Sequence, residues 1–222
     1  MTAGWPLDSQ GMWCEIVASA VPDAPRPALF LDRDGIIVDE VEYLCEVDKV
    51  ALCPGVAPMI ACANRAGIAV VVVTNQSGIA RGLYDWAAFA AVQAEIASRL
   101  AAAGAFWDAV MASPFHPQGR EPWRHPDHPV RKPNPGMLLA AAGALKLDLP
   151  ASWILGDRAT DMAAGRRAGL AGGIFVGPGY DAGEADRALA ERATGFAVLC
   201  APDTAAACSS LPLLAGLPCD AA

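Results

Sequence analysis

Residues 28–35 form the run Ala28-Leu29-Phe30-Leu31-Asp32-Arg33-Asp34-Gly35, in which four apolar residues are followed by two aspartates and a glycine. A short apolar run of this kind is typical of a buried strand in a parallel sheet. In open α/β sheets ligands bind beyond the carboxyl ends of the strands, which is where Asp32 and Asp34 would lie. Two carboxylates at a strand end can share a hard cation, although the same residues also suit a polar turn.

The rest of the chain alternates apolar runs with helical segments. The predicted strands are 28–32, 68–73, 106–112, 152–155, 173–176 and 196–199. Predicted helices lie between them at 55–66, 86–103 and 135–145, and a fourth ends near 168. Strands that alternate with helices predict an α/β fold, a Rossmann-like parallel sheet flanked by helices on both faces.

The composition of the chain limits its partners. Of 222 residues, 54% are apolar and 18% are charged, and the net charge is -8. An acidic chain is a poor general binder of nucleic acid or anionic membranes, because both need a basic surface. Seven cysteines without a Cys-x-x-Cys pair predict a reduced, cytoplasmic chain with no disulfide framework. No apolar run is long enough to span a membrane, and the N-terminus lacks the charge order of a signal peptide.

The predicted domain organisation is simple. Residues 1–27 form an N-terminal lead-in in which 13–17 could be a short strand or pack at the domain edge, and 28–222 form one domain. The segments 35–73 and 75–131 are occupied by predicted strands, helices and loops, which leaves no room for a separate cap domain. We therefore expect only loops, at 36–48, 77–85 and 113–131, to cover the site, and we expect a monomer.

Polar clusters follow several of these predicted strands and would meet on one edge of the sheet. They are Asp32 with Asp34, Thr74 with Asn75, Arg131 with Lys132, and Asp157 with Asp161. A carboxylate can act as the nucleophile of phosphoryl transfer, and cationic groups then neutralise the charge of the phosphoryl group. Mg²⁺ takes one or two protein carboxylates together with substrate oxygens, and Asp32, Asp157 and the main-chain carbonyl of Asp34 suit it.

These motifs, in this order, resemble the haloacid dehalogenase (HAD) superfamily of aspartyl phosphatases. The longer runs 31–35, 72–82 and 131–138 are similar to one branch, the D,D-heptose 1,7-bisphosphate phosphatases, with the histidinol-phosphate phosphatases as near relatives. The resemblance implies a Mg²⁺-dependent phosphomonoester hydrolase of carbohydrate metabolism that acts on a small phosphorylated metabolite. The implied substrate is a sugar bisphosphate, and the implied activity is that of a D-glycero-D-manno-heptose 1,7-bisphosphate 7-phosphatase.

The resemblance also implies a role for individual residues. Asp32 would be the nucleophile, Asp34 the general acid and base, and Thr74 and Lys132 would hold the transferring phosphoryl group. Asp157 would complete the metal site. Contacts to the substrate would come from a larger set, namely Asn75, Gln76, Ser77, Arg131, Arg158, Glu40 and Tyr43. Asp161 fits a metal contact and an acid at a helix start equally well, and Arg81 fits a phosphate contact and a surface charge equally well.

The chain departs from this branch in the loop at 113–131. The branch commonly binds a structural zinc there through cysteine and histidine ligands. Of the four ligand positions, three are Ser113, Phe115 and Val130, and only His128 could still coordinate. A structural zinc site normally uses four cysteine or histidine ligands, so we predict that zinc is absent and that packing orders the loop.

Two other functions remain open from the sequence. The loss of the zinc ligands allows a shift in specificity, so histidinol phosphate or another small phosphomonoester is an alternative substrate. A protein of another class, which binds a phosphorylated ligand without catalysis, is the second alternative. It would normally have lost a motif residue, and none is lost here.

Overall fold

The computed structural model describes residues 4–18, 20–179, 181–217 and 219. Their centre is a seven-stranded sheet in the order β1-β4-β3-β2-β5-β6-β7. The strands are β1 (Trp13–Ile16), β2 (Ala28–Leu31), β3 (Ala69–Asn75), β4 (Ala109–Ser113), β5 (Trp153–Gly156), β6 (Gly172–Val176) and β7 (Ala197–Ala201). All neighbours pair in parallel except β1, which runs antiparallel to β4. The predicted fold class is confirmed.

Helices cover both faces of the sheet, as the alternating pattern predicted. They are α1 (Val56–Arg65), α2 (Ser77–Arg81), α3 (Trp86–Ala102), α4 (Gly136–Leu145), α5 (Ala159–Ala168), α6 (Glu184–Ala190) and α7 (Thr204–Ser210). The sequence predicted α1, α3, α4 and α5 but not α2, α6 or α7. These three are five to seven residues long, and helices this short depend on tertiary packing rather than on a readable local pattern. Among the described residues, no helix has the length and hydropathy to cross a bilayer.

Strand periodicity divides the apolar residues into two cores. Leu29, Leu31 and Val70 pack on one face with α1 and α3, while Phe30 and Val71 pack on the other with α4 and α5. Successive side chains of a strand point to opposite faces, so a strand covered by helices on both sides is apolar throughout. The buried β2 and β3 therefore bring their polar C-terminal residues to one edge of the sheet.

The N-terminal lead-in supplies the edge strand β1. Cys14 pairs with Met111 of β4, and Trp13 is buried against Trp86 and Phe89. Of the two arrangements expected for 13–17, the structure shows the strand. The division at residue 27 stays a prediction, although β1 is part of the same sheet as the rest of the chain.

The cysteines differ from the prediction. Cys62, on α1, forms a disulfide with Cys219 across a sequence separation of 157 residues. The expectation of a fully reduced chain was therefore wrong for these two residues. Their pairing has no local sequence signature, because it depends on the C-terminal segment returning to α1. The other cysteines, Cys14, Cys45, Cys53, Cys200 and Cys208, are free thiols.

Candidate active site

Three adjacent central strands bring the predicted site residues together. Asp32 follows β2, Thr74 lies near the end of β3, and Asp157 follows β5. Lys132 comes from the loop before α4, and Asp161 lies in the first turn of α5. Because β3, β2 and β5 are neighbours, these side chains converge on one edge of the sheet.

Lys132 is the centre of the buried part of the site. Its Nζ lies 2.8 Å from Oδ2 of Asp32 and 2.6 Å from Oδ1 of Asp161. It also donates to the main-chain oxygen of Val73 at 2.8 Å. Burial alone would lower the pKa of Lys132, but the charges of Asp161 and Asp32 outweigh it and raise the pKa. The lysine is therefore a permanent cation next to the predicted nucleophile.

The residues at this edge have the chemistry of a metal site. Asp32, Asp157 and Asp161 each have a carboxylate oxygen within 4.8 Å of the others. Burial, followed by the charges of Asp32 and Asp161, raises the pKa of Asp157 to about 8. A hard divalent cation would relieve this repulsion. Asp161 contacts Lys132 and accepts from the backbone N–H of Arg158 at 3.1 Å. Asp32 likewise contacts Lys132 and accepts from the backbone N–H of Arg33 at 2.7 Å.

Gly35 makes room for this arrangement. Its φ is +77°, and a Cβ there would lie 2.7 Å from Oδ2 of Asp157. A larger residue would be strained in this backbone conformation and would push Asp157 away. The glycine after the two aspartates is therefore required by the approach of the β5 loop.

Asp34 is held by a network that the sequence did not predict. Nε and Nη2 of Arg33 donate to its carboxylate at 2.9–3.2 Å, and Nε2 of Gln76 donates to it at 3.0 Å. Gln76 also donates to Oγ1 of Thr74 at 2.8 Å and accepts from the hydroxyl of Tyr84. Arg33 is fully buried against Phe89. The position of Arg33 between the two motif aspartates could have indicated this contact from the sequence, whereas no sequence pattern marked Tyr84.

Asn75 and Gln76 turn inward rather than toward a ligand. Oδ1 of Asn75 accepts from the backbone N–H of Lys132 at 3.1 Å, and its Nδ2 donates to the carbonyl of Lys132 at 3.0 Å. Both groups of the amide are thus used to place Lys132. Gln76 is only 2% exposed. Their predicted contacts with the substrate stay a prediction.

A rim of more exposed residues surrounds the buried part. Nη2 of Arg158 lies 3.9 Å from Oε1 of Glu40, and both side chains are nearly half exposed. Nη1 of Arg131 donates to the carbonyl of Phe115 at 2.8 Å, and Ser77 begins α2. Burial and the neighbouring charges of Arg158 and Arg81 lower the pKa of Arg131 to about 10. Tyr43 has a φ of +56°, an unusual backbone conformation for an aromatic residue.

Aromatic packing orders the loop at 113–131. The rings of Phe115 and His128 stack with centroids 3.5 Å apart, and Trp123 packs edge-on against Phe115 and Trp86. Ser113 and Val130, at two further positions of the family's zinc ligands, are buried. In the part of the chain that the structure describes, the three aspartates above form the one cluster suited to a metal. The absence of zinc stays a prediction.

Comparisons with known proteins identify the family of this chain. The model of the HAD-hydrolase-like family matches residues 129–198. A D-glycero-beta-D-manno-heptose-1,7-bisphosphate 7-phosphatase of Mesorhizobium japonicum is 52% identical over 77% of this chain and 79% of its own length. The enzyme of that name from Escherichia coli K12 is 39% identical over 69% of this chain and 80% of its own length.

Solved structures show the same fold. A HAD-like phosphatase from Mesorhizobium loti has a TM-score of 0.84 and 46% identity, over 96% of this chain and 95% of its own. The D,D-heptose 1,7-bisphosphate phosphatase of B. bronchiseptica, complexed with magnesium and phosphate, has a TM-score of 0.68 and 31% identity, over 83% and 97%. The chain therefore belongs to the HAD-like phosphatases, in the branch that contains the D-glycero-D-manno-heptose-1,7-bisphosphate 7-phosphatases.

Proposed function

We propose that this phosphatase removes the 7-phosphate of D-glycero-D-manno-heptose 1,7-bisphosphate. The observation that carries the chemistry is the carboxylate of Asp32, which lies at a strand end 2.8 Å from a buried lysine ammonium. The arginine-rich rim above it suits a substrate with more than one negative group. The heptose itself is supported by a relative that bears this name and is 52% identical.

In the first half of the reaction, Asp32 attacks phosphorus and the bond from phosphorus to the sugar oxygen breaks. Lys132 and Thr74 hold the oxygens of the phosphoryl group, and Asp34 gives a proton to the leaving oxygen. For this step Asp34 must be protonated, and its carboxyl group can still accept hydrogen bonds from Arg33. The product is a phosphate ester on Asp32 and a free sugar hydroxyl.

In the second half, Asp34 takes a proton from a water molecule that attacks the phosphorylated Asp32. The bond between phosphorus and Asp32 breaks, inorganic phosphate leaves and the carboxylate is restored. Mg²⁺, held by Asp32, Asp157 and the main-chain carbonyl of Asp34, would neutralise charge on the phosphoryl group when bound. Asn75 and Gln76 keep Lys132, Thr74 and Asp34 in place.

The remaining rim residues would contact the sugar and its other phosphate. These are Ser77, Arg131, Arg158, Glu40 and Tyr43, and their exposure leaves them accessible to a ligand. No other macromolecular partner is needed for this reaction. A monomer in the cytoplasm stays our prediction, which light scattering and cell fractionation would test.

The nucleophile is tested by Asp32→Asn, with phosphate release measured in the presence of Mg²⁺. We expect a loss of about 10³-fold or more in kcat, because an amide cannot form the phosphate ester. Asp23→Asn, at a fully exposed position, is the matched control and should behave as the wild type. Mg²⁺-dependent release that survives in Asp32→Asn would refute the assignment.

The substrate is tested by comparing kcat/KM over phosphosugars, histidinol phosphate and nucleotides. Heptose 1,7-bisphosphate should give the highest value, with release from the 7-position. A higher value for histidinol phosphate or another monoester would replace the proposed substrate while leaving the mechanism intact.

A further inference from the structure

The N-terminal lead-in begins with a hairpin that the reaction above does not use. Residues 5–16 form this N-terminal hairpin, in which Leu7 pairs antiparallel with Trp13. The second arm of the hairpin is β1, which pairs with β4. β4 runs directly into the loop at 113–131. The hairpin therefore lies beside one of the loops that border the active site.

Asp8 fixes the turn of the N-terminal hairpin. Its Oδ1 accepts from the backbone N–H groups of Gln10 and Met12, each at 2.9 Å. The N–H of Asp8 also donates to the carbonyl of Met12 at 2.9 Å. An aspartate that accepts from the backbone two residues on is a common way to order a turn. The turn is thus held in one shape, with Gly11 and Met12 on the side of the loop.

Gly11 lies directly against the ring of Trp123. A Cβ at this position would lie 2.4 Å from Cζ3 of Trp123, and the φ of Gly11 is +87°. Glycine alone suits both the close contact and the left-handed backbone. Met12, which is 1% exposed, belongs to the same buried apolar cluster as Phe115 and Val130. The hairpin therefore contacts the loop at Trp123 and shares a core with residues near both of its ends.

These contacts lead to Arg131, which is predicted to bind the substrate. The carbonyl of Trp123 accepts from the N–H of His116 at 3.1 Å. The adjacent carbonyl, that of Phe115, accepts from Nη1 of Arg131 at 2.8 Å. Trp123 also packs edge-on against the ring of Phe115. A shift of Trp123 would therefore move the acceptor that orients the guanidinium of Arg131.

The loop is also anchored on a second side. The N–H of Arg120 donates to the carbonyl of Ala80 in α2 at 2.7 Å. Lys132, just beyond the loop, is fixed by its own ion pairs with Asp32 and Asp161. A disturbed hairpin should therefore shift the loop without releasing it and without moving the reacting groups. We expect substrate binding to change, and turnover of the bound substrate to change little.

We propose that the N-terminal hairpin is a positioning element for substrate binding, which acts through Trp123 and the carbonyl of Phe115 on Arg131. Gly11 and Asp8 are its positioning residues, and they act on the ligand only through the loop. The proposal rests on the proposed function, in that it assumes that Arg131 contacts the substrate. It makes the lead-in part of the apparatus that selects the substrate.

The test measures kcat and KM for the preferred sugar phosphate with saturating Mg²⁺. Gly11→Ala should raise KM by about 5- to 20-fold and change kcat by less than about twofold, because the displaced Trp123 misorients one charge-assisted hydrogen-bonding group. The matched control is Gly195→Ala, at an exposed glycine with a φ of +83° where the added Cβ would meet no described neighbour within 4 Å. It carries a similar backbone strain and should keep the wild-type KM.

Asp8 provides a milder test of the same hairpin. Asp8→Ala removes the acceptor of the turn and should raise KM by about two- to fivefold. Asp8→Asn keeps an acceptor oxygen at the same place and should restore nearly the wild-type KM. A role in stability alone would lower the melting temperature of Asp8→Ala and leave KM unchanged, which would contradict the proposal.

A double-mutant cycle with Arg131→Met tests the path from the hairpin to the substrate. Arg131→Met alone should raise KM at least as much as Gly11→Ala, and the double variant should exceed Arg131→Met by less than about twofold. Multiplicative increases in KM, no increase with Gly11→Ala, or a loss confined to kcat would overturn the proposal. Thermal melting identifies a variant that has merely unfolded, and the two Asp8 variants then carry the test.

Failure of this inference can be told apart from failure of the proposed function. If the preferred substrate is another phosphomonoester and the same coupling to Arg131 holds, the inference stands and the heptose assignment fails. If heptose 1,7-bisphosphate is preferred and Arg131→Met leaves its KM unchanged, the inference fails and the heptose assignment stands.

Discussion

The buried floor of the site and its exposed rim are built in different ways. In the floor, Lys132, Asp32 and Asp161 are joined by ion pairs of 2.6–2.8 Å and are at most 8% exposed. In the rim, Arg158 and Glu40 lie 3.9 Å apart and are nearly half exposed. A buried charge that loses its partner destabilises the protein strongly, whereas an exposed ion pair contributes little to the free energy of unfolding. We therefore expect the floor to determine the reaction, and substitutions in the rim to change ligand binding at small cost to stability.

The largest expected effect comes from the centre of the floor. Lys132→Met should lower kcat by about 10³-fold, because the transferring phosphoryl group loses its buried cation. It should also lower the free energy of unfolding by about 3 kcal/mol or more, since two carboxylates are left without their partner. Lys146→Met, at an exposed lysine, is the control. Near-normal turnover in Lys132→Met would show that the floor is not the reaction centre.

Arg33 lies just behind the floor and positions Asp34. Arg33→Met should lower kcat by about 10²-fold with a natural sugar phosphate, because a misplaced acid cannot reach the leaving oxygen. The loss should be much smaller with p-nitrophenyl phosphate, whose leaving group needs little protonation. Arg99→Met, at an exposed helix pair, should change neither. An equal loss on both substrates would assign Arg33 a structural role only.

Asp157, which lies beside the floor, predicts a dependence of stability on pH. The pKa of Asp157 is raised from 3.8 to about 8 in the folded protein, so folding favours its protonated form. The stabilisation from this proton is complete below about pH 4 and is lost as the pH rises toward 8. Without Mg²⁺, the melting temperature should fall between pH 6 and pH 8, and Mg²⁺ should bind more tightly at the upper end. Asp157→Asn should flatten both trends, and a profile unchanged by that variant would contradict the assignment.

Trp123 connects the rim to the fold beneath it. Trp123→Ala should destabilise the protein by about 2 kcal/mol through lost contacts with Phe115 and Trp86. The KM for a bisphosphate should rise several-fold while kcat changes little, because the floor is intact. Phe106→Ala, at an exposed aromatic residue, controls for lost surface area. A fall in kcat with unchanged KM would place Trp123 with the floor instead.

Zinc should have the smallest effect. Protein purified without added zinc should contain far less than one zinc per chain, and chelation should not lower the melting temperature in the absence of Mg²⁺. The physical reason is that Phe115 and Val130 cannot coordinate a metal. Stoichiometric zinc would show that the histidines of the loop form a site of their own.

Much of this molecule could be predicted from short patterns. The apolar runs that end in Asp32, Thr74 and Asp157 are buried strands, and parallel strands present their carboxyl ends on one edge. The same rule predicts that the motif residues lie close together, although it gives no distance between them. Long helices such as α3 were predicted because their pattern persists over many residues.

Only the tertiary structure decided how those residues are connected. Arg33 turns back onto Asp34, Asn75 is bonded to the backbone of Lys132, and Cys62 meets Cys219 from the far end of the chain. Each of these contacts depends on how the chain turns or returns after its elements have packed, and a local pattern carries no record of that path. The sequence therefore specifies which chemical groups reach the edge of the sheet, and packing specifies which of them act and which hold the others in place.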